Sequence, residues 1–149
     1  MDAVTPKHPT TADQHSHIVR PAEMEWQKTR FAGCEAKTLL FDKSTGLVTA
    51  LMRFAPGAVL PDHEHVKIEQ TYVLEGRLVD KEGPAAGLEI KQGEFVWREP
   101  GSRHVATCPD GGLMLAMFQI PNKFYERDGR VTDVNGQDWE AVWGNALKD

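Results

Sequence analysis

Between Phe31 and Ile120 the chain never keeps one conformation for long. Ala36 to Phe41 is a β-forming run, ended by the turn Asp42-Lys-Ser-Thr-Gly46. Leu47 to Phe54 follows, and Pro56-Gly57 stops it. The same alternation continues. The run from Gln70 to Leu74 is closed by Gly76, Arg77 to Val79 leads into the loop Asp80–Gly87, and Leu88 to Lys91 reaches Gln92-Gly93. Glu94 to Arg98, His104 to Thr107 and Leu113 to Ile120 complete the set, with Pro109-Asp-Gly-Gly112 as a strong turn. Short β runs with turn residues between them predict an all-β sandwich or barrel. The strand-turn-strand pattern recurs on both sides of Gly87, as in the two Greek-key halves of a jelly roll.

The ends read differently. Residues 1–30 form an N-terminal arm that is polar and proline-bearing over its first seventeen positions. Ile18 to Trp26 is suited to docking on a partner subunit. Residues 31–125 are the β domain, and residues 126–149 an extension. Within that extension Trp139, Val142, Trp143 and Leu147 recur at helical spacing, which predicts a helix over Gln137 to Leu147 begun by Asp133 or Asn135. The two tryptophans read as packing residues.

One segment carries chemistry. His63 and His65 are two apart, so on a strand both point to one face. Val66, Lys67 and Ile68 suffice to turn the chain, and Glu69 then aims a carboxylate at the same point. Of the six histidines, His8, His15 and His17 lie in the arm, where the His15/His17 pair reads as solvated imidazoles. His104 is the one other ring in the folded region and is the nominee for a fourth ligand. With Glu69 inward, Thr71 and Val73 are inward too. Gln119, in an otherwise apolar strand, is a candidate donor to a substrate oxygen. Arg53 and Arg98 read as outward or interface ion-pair formers, and Tyr72 and Trp97 as packing residues. Cys34 and Cys108 form no C-x-x-C motif and are too few for a disulfide framework; Cys108 reads as a small buried hydrophobe.

The segment Gly57-Ala-Val-Leu-Pro-Asp-His63-Glu-His65-Val-Lys-Ile-Glu69-Gln-Thr-Tyr-Val-Leu-Glu-Gly76 resembles the first motif of the cupin superfamily at every spacing. Gly93, Gly101 and His104 match the second motif. Glu99 and Cys108 depart from it, standing where proline and asparagine are usual. The likeness runs from about Phe31 to about Tyr125. It implies a cupin double-stranded β-helix, a jelly-roll barrel, with a metal held by His63, His65, Glu69 and His104. Ile68 to Gly76 and Phe95-Val-Trp-Arg98 resemble ChrR-type cupins, which include the zinc-binding domain of an anti-sigma factor. The length and the stretch Asn122 to Val131 are more loosely similar to small iron dioxygenases that cleave acetylacetone and other β-diketones, or dihydroxyacetophenone. Those enzymes are associated with a three-histidine site, whereas this chain keeps the cupin glutamate.

Three imidazoles and one carboxylate suit one divalent metal per chain, iron(II) or zinc first, with manganese, nickel or copper also compatible. Six-coordinate iron(II) on four protein ligands keeps two positions for a small oxygen-rich substrate and dioxygen. A closed tetrahedral zinc keeps none. Two functions follow as expectations: a metal-dependent dioxygenase-like enzyme on a small diketone or hydroxyketone, or a non-catalytic zinc-binding sensor. The first thirty residues are too short and polar for a sigma-binding segment, which favours the enzyme. The resemblance also implies a homodimer. A net charge of −5 with no basic run argues against nucleic acid, no apolar stretch reaches membrane-span length, and the N-terminus lacks a signal core, so a cytoplasmic protein is expected.

Overall fold

The computed structural model describes residues 15–144. The short β runs become eleven strands: β1 (Gln27–Lys28), β2 (Cys34–Asp42), β3 (Leu47–Phe54), β4 (Val59–His65), β5 (Glu69–Glu82), β6 (Glu89–Lys91), β7 (Phe95–Arg98), β8 (Ser102–Thr107), β9 (Gly112–Gln119), β10 (Lys123–Tyr125) and β11 (Val131–Thr132). Every pairing is antiparallel, in the order β1-β2-β3-β9-β5-β8-β4-β10-β11, with β6 and β7 also on β5. Several neighbours in space, β3–β9, β5–β9, β5–β8, β4–β8 and β4–β10, are distant in sequence, as in the expected jelly roll, and the sheet curls around one core.

β5 belongs to both walls of that barrel. Its first half pairs with β7 and β9, and its second half with β6 and β8. The change of partner falls at Gly76, which has φ +73°. An added Cβ at that position would collide with the carbonyl oxygen of Gly111, so glycine is needed there on two counts. Gly76 was expected to end the strand; instead it lets the strand pass from one wall to the other. The loop expected from Asp80 correspondingly starts later, after Glu82.

Between the walls lie Phe54, Val73, Leu78, Ile90, Met114 and Phe124. Burying each such side chain contributes about 1.5–3 kcal/mol. Cys34 and Cys108 sit in the same core, where burial pushes their thiols up to about 11 and about 12. They behave as small hydrophobes, as expected for Cys108.

The outer face corrects one expectation. Tyr72 and Trp97 do not pack inward. They are 42% and 56% exposed, and Phe95, the direct cross-strand partner of Tyr72, is 50% exposed. Strand alternation explains this: Glu69, Thr71 and Val73 take the inner face, so Gln70 and Tyr72 take the outer one. The expected helix is present as α1 (Trp139–Trp143), shorter and with a different start. Asp138 is its N-cap, accepting from the Ala141 amide. Asp133 instead accepts from the amides of Asn135 and Gln137 and from Trp143 Nε1. Leu147, at the end of the expected helix, lies outside the described residues. Among those residues no helix is long and apolar enough to cross a membrane.

Candidate metal centre

The two-residue period of β4 sends His63 and His65 into the barrel, and both are buried. β8 lies alongside in antiparallel register, with His104 directly opposite His63. Residues 66–68 carry the chain across to the other wall, where Glu69 opens β5 facing inward. Among the described residues this is the one group of potential metal ligands, and one donor atom from each of the four residues lies within 4.8 Å of the others.

Outer partners set the ring orientations. His63 Nδ1 donates to the Pro61 carbonyl at 2.7 Å. His104 Nδ1 donates to Asp80 Oδ1 at 3.0 Å. Both rings therefore present a bare Nε2 inward, the tautomer a metal requires. His65 Nε2 stands between them, 3.1 Å from His63 Nε2 and 3.0 Å from His104 Nε2. It also touches Glu69 Oε2. Thr71 donates its hydroxyl to Glu69 Oε1 at 3.0 Å, which leaves Oε2 for the centre.

Electrostatics keep His63 and His65 neutral. Burial first, and then the neighbouring rings, lower the pKa of His63 and of His65 from 6.5 to about 3. The Asn122 side chain pulls His65 weakly the other way. Ring nitrogens and a carboxylate crowded at one point call for a cation. The donor set fits a divalent ion of intermediate hardness.

Arg98 is the clearest departure from expectation. It was read as outward or interfacial, yet it is 6% exposed and grips Asp80 with two parallel hydrogen bonds of 2.7 and 2.9 Å. Its Nε lies 3.8 Å from Glu69 Oε1. β7 places Arg98 directly opposite Glu69, on the other wall from Asp80, so the pair ties the two walls together behind the site. Burial alone would raise the Asp80 carboxyl; hydrogen bonds from His104 and Arg98 outweigh it and hold it below the usual range. Arg53, by contrast, meets its expectation, pairing with Glu35 at the surface. Gln119 does not face the site. It donates to the Thr45 carbonyl on the outer side of β9, whose inner face carries Met114, Ala116 and Phe118.

The four ligand candidates floor a cavity of about 90 Å³. Its walls are mostly apolar, including Phe54, Leu60, Met114, Phe118 and Phe124. Phe124 stacks on the His63 ring with centroids 5.1 Å apart, and Phe31 stacks on Phe124. Asn122 is a polar wall residue absent from the expectations above. Its position just ahead of a short strand, far from both motifs, gave no signal in the sequence.

The model of the ChrR cupin-like domain matches residues 14–123. No curated protein matches the chain. Among solved structures, a provisionally assigned acetylacetone dioxygenase from Methylibium petroleiphilum PM1 is similar with TM-score 0.70 and 20% identity, covering 91% of this chain and 99% of its own. An acetylacetone dioxygenase from Acinetobacter johnsonii gives TM-score 0.68 at 19% identity, covering 99% and 100%. An RmlC-like cupin from Ralstonia eutropha JMP134 gives 0.69 at 14%, covering 90% and 92%. At these identities the likeness is one of fold.

Proposed function

The chain belongs to the family of ChrR cupin-like domains, and from that premise we propose that it is a metal-dependent enzyme of the iron(II) dioxygenase type. Its substrate is a small, oxygen-rich molecule such as a diketone or hydroxyketone. The observation that carries this reading is the convergence of three imidazoles and one carboxylate at an apolar-walled cavity. Two similar folds belong to proteins named as acetylacetone dioxygenases, which supports the same substrate class.

His63, His65, His104 and Glu69 would hold the ion. When bound there, iron(II) supplies Lewis acidity and an accessible redox couple. The single carboxylate of Glu69 would offset half of its charge, which would suit the site to an oxygen-rich substrate. Thr71 fixes Glu69, while Pro61 and Asp80 fix the tautomers of His63 and His104. Phe118, Phe124 and Met114 exclude water and match the hydrocarbon part of a small ketone.

A second reading is favoured by the family match itself: a zinc-binding sensor module without turnover. Metal analysis of protein purified without added metal, combined with oxygen uptake in the presence of acetylacetone, separates the two. Stoichiometric iron with substrate-dependent oxygen uptake is the expected result. Tight stoichiometric zinc, and no uptake after iron loading, would transfer support to the sensor.

A further inference from the structure

Two of the three histidines have a partner for Nδ1, and the third does not. His65 Nδ1 is buried without a hydrogen bond. Among the described residues, the other buried side-chain atoms lacking a partner are Arg98 Nε, Ser102 Oγ, Asn122 Oδ1 and Trp139 Nε1. Arg98 and Trp139 offer only donors at those atoms. Asn122 Oδ1 is the one pure acceptor in the set.

The register brings that acceptor to His65. β10 pairs Lys123 with Glu64 and Phe124 with His63. Asn122 immediately precedes β10, and the same register continued by one residue would set it opposite His65. Both side chains line the same cavity, and Asn122 is 6% exposed. Ser102 flanks His65 on the other side, in register on β8, but it does not line the cavity.

We infer that Asn122 is the positioning residue for His65, accepting a hydrogen bond from Nδ1–H so that Nε2 stays bare and directed at the centre. The inference rests on the metal-site reading and completes it. Each ring then has its own outer acceptor: a backbone carbonyl for His63, an amide for His65 and a carboxylate for His104. The alternative tautomer would carry its proton on Nε2, against Glu69, and set the Nδ1 lone pair against the Asn122 oxygen. That arrangement removes one ligand and leaves two acceptors facing.

Ring nitrogen NMR on the metal-free protein reads the tautomer directly. The expected result is His65 protonated at Nδ1 in the unmodified chain and in Asn122→Asp, and shifted to Nε2 in Asn122→Leu. Zinc affinity, by chelator competition, is expected to fall about 10–100-fold in Asn122→Leu and to return towards the original in Asn122→Asp. An Nε2-protonated His65 in the unmodified protein overturns the inference, and so does loss of the tautomer in Ser102→Ala but not in Asn122→Leu. Should Asn122→Leu fail to fold, the unmodified protein and the aspartate variant still decide. Absence of zinc binding with His65 held as Nδ1–H would count against the metal-site reading and leave the positioning role standing.

Discussion

Asp80 Oδ1 receives the Nδ1 hydrogen of His104 at 3.0 Å, and Arg98 closes on both oxygens of the same carboxylate. A candidate ligand is thus braced by a buried ion pair. Buried pairs of this kind are costly to break from one side, because the remaining charge has no partner.

Asp80→Leu is therefore expected to destabilise the protein by about 3–5 kcal/mol, with Arg98 left charged in the core. Asp80→Leu combined with Arg98→Met removes both charges and is expected to recover most of that loss. Urea unfolding of the two single variants and the double variant checks the coupling. Equal losses that simply add would show that the two side chains act independently.

His104→Ala is expected to abolish stoichiometric metal binding, since His104 supplies one of the converging Nε2 atoms. Elemental analysis of the purified variant reads this directly. Full retention of metal would place the third imidazole ligand elsewhere in the chain.

Acid should weaken the metal-free fold in a defined window. His63 and His65 titrate near 6.5 when unfolded and near 3 when folded. Between those values the unfolded chain binds more protons, so stability rises with pH and is lost as pH falls from 6.5 towards 3. The slope is about 1.4 kcal/mol per pH unit for each ring. Unfolding free energy measured from pH 7 to pH 4 should flatten in His63→Gln/His65→Gln; an unchanged slope would mean the rings are not held neutral.

The exposed trio of Tyr72, Phe95 and Trp97 offers an apolar sheet face of the kind that association covers. We expect a second copy to pair through it, giving the homodimer. Sedimentation should find a dimer for the unmodified chain and a monomer for Trp97→Lys. A dimer unaffected by that charge would move the interface to another face.

The legible part of the molecule is the part with a short period. Alternation over His63 to His65, a three-residue turn and then Glu69 are local, and the structure brings these side chains together with His104. Leu47–Phe54 is found with the bounds read from the residues. What escaped depends on register between distant strands. Arg98 looks like any cation in an amphipathic run until β7 sets it opposite Glu69 and across from Asp80. Gln119 was expected to reach a substrate oxygen and lies on the outer face of β9 instead, since nothing local says which face is inner. Gly76 carries a turn signal, and its carbonyl neighbours decide that it bends a strand instead of ending one.

All four candidate ligands stand on β4, β5 and β8, while Met52, Phe54, Met114, Phe118 and Phe124 come from β3, β9 and β10. The larger apolar walls of the chamber are thus encoded mainly outside the ligand strands, with Leu60, Leu78 and Ala106 the apolar linings that β4, β5 and β8 add. Variation in those larger walls can proceed while the ligands are kept. An engineer could reshape the chamber through Met52, Met114 or Phe118 and leave every ligand strand untouched.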